Sequence, residues 1–543
     1  MRSGVLTRRE VLRIYAMTVA GGAITARGAL AAGTSPVAMT SSGKVQGFIE
    51  DGVHVFKGIP YGADTANRRF MPARRPEPWT GVRRTLAFGP QAPQPMHARD
   101  SRSAFSPLDE TDPVNSEDCL YLNIWTAGLR DGRKRPVMVY IHGGAYSSSS
   151  SNGPVYNGVR LVRRGDVVVV TLNHRLNLFG YVYLAGIPGV SAELTDSGNV
   201  GQLDLVLALE WVRDNILEFG GDPGRVMIFG QSGGGAKCAT LMAMPVARGL
   251  FHRVATMSGQ QITARLPEHA TASAEAVLKE LGIARERVND LRDPKLVSME
   301  RLVAAMRAGG YFGPVLDRRS LPRDPFSPDA PAISRDVPMM MGNAHDETRL
   351  LIGAGDASLF SLAWEQLPER LERYRQFLGE LKTEAIVADY RRWYPAYSAS
   401  DVFFAVTTAF RSWHGLVIES ERRAAQQGPT WVYDFDWKSP VGGGRWGAPH
   451  TMDIPFAFDN VTLAAAMTGG GEEAQRVADQ VSSTFIAFPR TGDPNHSGLP
   501  VWARFDTAKR ATMVWDVRSR VVDDPRGEER QLIARASYVQ PGT

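Results

Sequence analysis

Val226-Met227-Ile228-Phe229-Gly230-Gln231-Ser232-Gly233-Gly234 is the stretch on which the reading of this chain turns. An apolar run of the buried-strand type ends in a serine framed by glycines, and the residues that follow read as a helix start. So tight a strand-to-helix turn needs small residues on both sides, and it pushes the serine hydroxyl out at the top of a sheet. The same pattern also suits an ordinary strand–turn–helix junction, because small residues are common in turns. Its meaning therefore depends on what surrounds it.

Upstream lie three further apolar runs of the buried parallel-strand type: Cys119 to Trp125, Pro136 to Ile141, and Asp166 to Leu172. Between the last of these and the serine turn, Asn199 to Phe219 carries Leu205, Leu209, Val212, Ile216 and Phe219 at the spacing of one buried helix face. Gly220-Gly221-Asp222-Pro223 terminates that helix. Near the N-terminus, Val37 to Ile49 and Val53 to Ile59 read as short strands around an Asp51-Gly52 turn, followed by an irregular Pro/Arg-rich stretch to about Pro113. After Phe251 the chain reads as helical and polar. Strands return at about Val337 to Met341, Thr430 to Asp434 and Thr512 to Trp515, and the helical segments between Ala270 and Ala425 read as insertions over the sheet. Strands alternating with helices predict an α/β fold with a large, mainly parallel sheet covered on both faces. In such sheets the reactive groups gather at the carboxyl ends of the strands.

Composition narrows the function classes. The 543 residues have the apolar and charged fractions of an ordinary globular protein, with ample chain for a large core. Residues 1–31 form a different kind of text. Arg8-Arg9 precedes a short apolar run, Ile14 to about Ala26, diluted by Gly21 and Gly22, and Ala29-Leu30-Ala31 offers small residues for cleavage. This predicts a twin-arginine-type signal peptide over 1–31, hence an exported protein, periplasmic or secreted, with residues 32–543 as one catalytic domain. The leader carries five arginines against one glutamate, or +4 of the chain's net +5. The remainder is close to neutral, and no basic stripe argues for nucleic acid. The leader's apolar run is too short to span a bilayer, which needs ~20 residues. The only cysteines, Cys119 and Cys238, read as buried small hydrophobes, and no Cys/His spacing suggests a metal.

Acyl transfer by a serine needs a base, a carboxylate to orient it, and donors for the oxyanion. His142-Gly143-Gly144-Ala145-Tyr146, directly after the run ending at Ile141, suits the donor role, together with the amide of Gly233. His450 lies in the loop Gly447-Ala448-Pro449, where a base can project into a cleft. His345 and His414 are its competitors. The acid falls in the pair Asp346-Glu347, and chemistry alone does not choose between them, since either could orient an imidazole or sit at a solvated helix start.

These residues carry a resemblance. The chain is similar to the type-B carboxylesterases, the family of bacterial para-nitrobenzyl esterases and animal cholinesterases. The likeness spans roughly Val37 to Val517. It includes Ser116-Glu117-Asp118-Cys119-Leu120-Tyr121-Leu122-Asn123, Trp211-Val212-Arg213-Asp214-Asn215, Gly447-Ala448-Pro449-His450 and Thr491-Gly492-Asp493-Pro494. The resemblance implies an α/β-hydrolase fold with helical insertions over the active site and a serine carboxylesterase acting on small-molecule esters through an acyl-enzyme, with neither metal nor cofactor. It implies Ser232 as nucleophile, Glu347 as acid, His450 as base, and the amides of Gly144, Ala145 and Gly233 as oxyanion donors. It also implies two structural ion pairs, Arg69 with Glu117 and Arg175 with Asp204. The chain departs from the family in having Gln231 and Gly233 where many relatives have Glu and Ala, in lacking a cysteine upstream of Cys119, and in having Asp453 for a common Glu. Amide or carbamate cleavage is open to the same machinery. A neuroligin-like binding protein would lack the serine or the histidine, and no strongly apolar segment suggests a lipase lid. Tyr146, Trp413 and Trp437 are candidates to line a substrate pocket.

Overall fold

The computed structural model describes residues 35–96, 103–109 and 112–541. The expected signal peptide, residues 1–31, lies outside the described residues. Fourteen strands are present among those described: β1 Val37–Thr40, β2 Gly43–Gln46, β3 Phe48–Glu50, β4 Val53–Pro60, β5 Val82–Arg84, β6 Tyr121–Thr126, β7 Arg135–Ile141, β8 Val168–Leu172, β9 Gly221–Gln231, β10 Arg253–Met257, β11 Met339–Ala344, β12 Thr430–Phe435, β13 Ala511–Trp515 and β14 Arg520–Asp523. Strands β1, β2 and β5 make a small sheet; the other eleven form one sheet in the order β14-β13-β12-β11-β10-β9-β7-β8-β6-β4-β3. From β13 across to β8 every pairing is parallel. The edges are antiparallel.

Alternation along β7 shows how the sheet is covered. Val137, Val139 and Ile141 pack on one face with Leu205, Leu209 and Val212 of the helix Val200–Asn215. Met138 and Tyr140 pack on the other with Val477, Val481, Phe485 and Phe488 of the helix Gly471–Thr491. Successive side chains of a strand point to opposite faces, so a strand buried on both sides must be apolar throughout. All seven residues of β7 are buried, and the one charged residue, Arg135 at its start, is paired with Asp131.

Two expectations need correction. The run Cys119 to Trp125 was expected to be a parallel strand, but β6 pairs antiparallel with both β4 and β8. An unbroken apolar run reports burial on two faces and carries no information about direction. The chain after Phe251 was expected to be helical, yet Arg253–Met257 forms β10, parallel to β9 and β11. Five residues that begin with arginine are too few for periodicity to register.

Two ion pairs fasten the connections. Arg175 Nη2 lies 2.6 Å from Asp204 Oδ1, and Arg69 Nη2 lies 2.5 Å from Glu117 Oε1; all four side chains are almost fully buried. Arg175 also donates to the Met71 carbonyl (2.9 Å) and Arg69 to that of Val297 (2.5 Å), so each guanidinium ties distant loops together. Removing one partner of such a buried pair typically costs about 3–5 kcal/mol, because the other charge stays buried and unpaired. Cys119 and Cys238 are buried and unbridged. No helix among the described residues is long and apolar enough to cross a membrane.

Candidate active site

The chain order of the sheet decides where the site forms. β8 lies on one side of β7 and β9 on the other, so the connections leaving β7 and β9 run to opposite sides and open a crevice at their carboxyl ends. Ile141, the last residue of β7, pairs with Gly230 near the end of β9. That register sets His142–Ala145 beside Ser232.

Ser232 has φ 58° and ψ −128°, a conformation that L-residues rarely adopt. It follows β9 directly and precedes the helix Gly233–Met242. The residue is held by its backbone: its N–H donates to the Met257 carbonyl of β10 (2.8 Å), and its carbonyl accepts from Ala236 (3.1 Å). Such strain costs on the order of 1–3 kcal/mol and persists only where the surroundings over-determine it. The glycines around it are required by space. A Cβ on Gly230 would stand 2.5 Å from the Gly234 carbonyl carbon and 2.6 Å from the Ile141 oxygen. A Cβ on Gly233 would collide with the backbone of Ala145, so alanine, common here in the resembling family, is excluded by the path of the loop after β7. Ala145 itself has φ 54°.

Ser232, Gly144, Ala145 and His450 line one cavity of about 380 Å³, along with Gln231, Ser258 and Gln260. Gly233 is not in the lining; it lies at the helix start, packed against the Ala145 backbone. Glu347 stands behind His450 and is completely buried, at 0% exposure. Its Oε2 meets His450 Nδ1 in a short contact, while Oε1 accepts from the Ala344 backbone and from Asn343 Nδ2, both at 3.0 Å. Asn343 Oδ1 in turn accepts from Gln260 Nε2 (3.1 Å), so a chain of amides reaches from the cavity wall to the carboxylate. Gln231 Nε2 is 3.4 Å from both ring nitrogens of His450. A group equidistant from both lies in line with neither lone pair, so Gln231 packs against the ring and leaves Nε2 available.

The neighbouring carboxylate has a different task. Asp346 Oδ2 accepts from the Ala448 N–H (2.9 Å), its own N–H donates to the Ala448 carbonyl (2.8 Å), and Oδ1 pairs with Arg349 Nε (3.2 Å). Asp346 was expected to be a helix-start or solvated carboxylate; it does stand at the start of the helix Glu347–Leu351, and its side chain also clamps the loop that carries His450. Adjacent residues point in different directions, and here one fastens the loop while the other faces the imidazole. The competing histidines lie elsewhere. His345 Nδ1 pairs with Asp434 Oδ2 at 2.8 Å, and the buried His414 packs edge-on against Tyr538.

Several contributors escaped the sequence reading. Lys237 is buried in the helix after Ser232, and its ammonium donates to the His142 carbonyl (3.0 Å) at the root of the Gly-Gly-Ala loop. Burial pushes its pKa down to about 7. The stacked His142 and His174 rings beside it are held well below the usual histidine range, by burial first and by the Lys237 charge second. A lone lysine inside Gly-Gly-Gly-Ala-Lys-Cys-Ala-Thr-Leu-Met was a legible signal. Asp453 is buried against Tyr433 (3.1 Å), and burial, reinforced by the Glu347 charge, raises its pKa to about 7. Tyr146, Trp413 and Trp437, expected as pocket candidates, do not line the cavity. Tyr146 is buried beneath it, Trp437 belongs to the core, and Trp413 lies under the Arg526 guanidinium. The cavity's aromatic residues are Tyr156 and Tyr538.

A mostly parallel sheet, helices on both faces and a strained serine turn at the switch point define an α/β-hydrolase fold. The comparisons narrow this further. The profile of the carboxylesterase family matches residues 34–532. The para-nitrobenzyl esterase of Bacillus subtilis (strain 168) is 33% identical over 513 residues, covering 92% of this chain and 99% of the relative. The phenmedipham hydrolase of Pseudarthrobacter oxydans is 33% identical over 532 residues, covering 94% and 99%. The crystal structure of the Geobacillus stearothermophilus carboxylesterase EST55 superposes with a TM-score of 0.79 at 34% identity, covering 91% of this chain and 99% of that one. The chain belongs to the carboxylesterase family and is a carboxylic ester hydrolase.

Proposed function

We propose that this enzyme hydrolyses carboxylic esters through an acyl-enzyme on Ser232, with His450 as base and Glu347 as its orienting acid. The observation that carries the reading is the meeting of a strained serine and an imidazole in one cavity, with a buried carboxylate on the far nitrogen of that imidazole. With Nδ1–H donated to Glu347, Nε2 holds the lone pair that accepts the Ser232 proton. Ser232 Oγ bonds to the ester carbonyl carbon, and the charge that moves to the carbonyl oxygen is met by the amides of Gly144, Ala145 and Gly233. Collapse of that intermediate breaks the bond to the alcohol oxygen, which leaves with the proton from His450. Water then repeats the sequence on the acyl-enzyme, with His450 again as base, and releases the acid and Ser232. Glu347 stays ionised throughout and stabilises the imidazolium.

The test is covalent capture. A fluorophosphonate should inactivate the enzyme with one adduct per chain, and peptide mass spectrometry should place that adduct on Ser232. Inactivation with the adduct on another residue, or ester turnover that survives stoichiometric labelling of Ser232, would overturn the assignment.

Export by the twin-arginine route is proposed on the Arg8-Arg9 pair and the short, glycine-diluted apolar run behind it. N-terminal sequencing of the protein from its native host should give a start near residue 32. An intact N-terminus on protein recovered from the cytoplasm would refute the proposal.

A further inference from the structure

Among the described residues, one arginine lines the substrate cavity with no carboxylate in contact. Arg411 and Ser412 line the same cavity as Ser232 and His450, on a turn of π-helix, Thr408–Trp413, set between the helices Ala399–Thr407 and His414–Ala425. The turn is anchored against the segment that carries Glu347: Thr408 Oγ1 accepts from the Thr348 N–H (3.2 Å) and meets Thr348 Oγ1 at 2.9 Å. π-Helical turns inside helices occur frequently at functional sites. Here the extra residue aims an arginine at the cavity.

Four buried arginines elsewhere in the fold show how the guanidinium is held when water is scarce. Arg69, Arg175 and Arg526 each hold a carboxylate. Arg423 has no carboxylate, but it donates to Ser334 O, Val337 O, Gln426 Oε1 and Thr430 Oγ1. Arg411 has five N–H donors and, among the described residues, one long hydrogen bond, 3.4 Å to Ser412 Oγ. Burial lowers its pKa, and the charge of Glu347, which does not touch it, restores part of the shift. The guanidinium remains cationic and partly desolvated, with no carboxylate in contact among the described residues. Ser412 Oγ accepts from Arg411 and keeps its own proton to donate.

We propose that Arg411 binds a carboxylate of the substrate, and that the enzyme prefers half-esters of dicarboxylic acids, molecules with one ester and one free carboxylate. The inference rests on the Ser232 assignment above, which sets where the ester must lie. A planar guanidinium takes a carboxylate through two parallel N–H···O bonds, and a partly dry cavity strengthens both. One cation suits one negative charge.

The test compares ethyl hydrogen adipate with the neutral ethyl heptanoate, reading ethanol release as kcat/KM at pH 7.5. In the wild type the half-ester should be the better substrate by about 10-fold or more. Arg411→Gln should lower the ratio of the two kcat/KM values by about 10- to 100-fold, the range expected when a charge-assisted pair is lost. Arg411→Lys should recover part of it. A ratio that moves less than threefold overturns the proposal, including the case in which both substrates slow together, which would assign Arg411 to holding Glu347. If neither variant folds, the wild type decides: the monoamide of adipic acid, with one carboxylate, should inhibit ethyl heptanoate hydrolysis at least 10-fold more strongly than adipamide, and equal inhibition refutes the carboxylate site. Wild-type enzyme that hydrolyses neither ester refutes the esterase reading itself, a result separate from loss of charge preference.

Discussion

Ser232→Ala will reduce turnover of p-nitrophenyl butyrate by on the order of 10⁴–10⁶ while leaving the thermal unfolding midpoint within about 2 °C of wild type. The size of the loss follows from the mechanism. Without Oγ there is no acyl-enzyme, and only the oxyanion amides and substrate binding are left to act on water. The small effect on stability follows from how the residue is held. The contacts that fix Ser232 run through its backbone to Met257 and Ala236, and alanine at φ 58° bears the same strain as serine. A rival nucleophile exists in the same cavity. Ser258 also has positive φ, but its Oγ accepts from the Ala344 backbone at 3.1 Å and stands beside the Glu347 anchor. Activity of Ser232→Ala within tenfold of wild type would refute the assignment of Ser232 and make Ser258 the first alternative.

Glu347→Gln will lower kcat by on the order of 10²–10⁴, with Asp346→Asn within about tenfold of wild type. Glutamine keeps the volume of a side chain with no exposed surface. It removes the charge that stabilises the imidazolium, and it can present an N–H to His450 Nδ1, which then favours the wrong tautomer. Asn343 Nδ2 and the Ala344 N–H, both donors to Oε1, hold the side chain in one orientation. Asparagine at 346 can still accept from the Ala448 N–H, so the His450 loop keeps its clamp and loses only the charge against Arg349. Steady-state kinetics of both variants checks this. The reverse order of effects would give the catalytic role to Asp346.

Much of the fold was legible, and the reasons are local. The apolar run Pro136 to Ile141 in β7 and the run Val167-Val168-Val169-Val170 identify strands buried on two faces, and the stripe Leu205, Leu209, Val212 and Ile216 identifies the helix between β8 and β9. The glycine-framed serine identifies the turn, because sterics at Gly230 and Gly233 admit nothing larger. The direction of β6, the existence of β10 and the cavity lining were not legible. Strand direction depends on which neighbour a strand finds. β10 is too short to display a period, and Tyr146, Trp413 and Trp437 proved to be buried or to pack elsewhere because large aromatics serve a core as readily as a pocket.

By itself, the sequence determined the class of sheet, the turn that carries Ser232, and the small set of residues from which a site could be built: one serine, two adjacent carboxylates and three histidines. Tertiary structure decided among them. It brought Glu347 to His450 and sent Asp346 to the Ala448 backbone, a division that depends on the local path of the chain after β11. It also turned Arg411, one of many arginines in the sequence, toward the substrate cavity and left it without a counter-ion among the described residues. Residue types and spacing report what a segment can bury and how it can turn. Which charges end up facing each other across hundreds of residues is fixed only when the sheet is assembled and its loops are packed together.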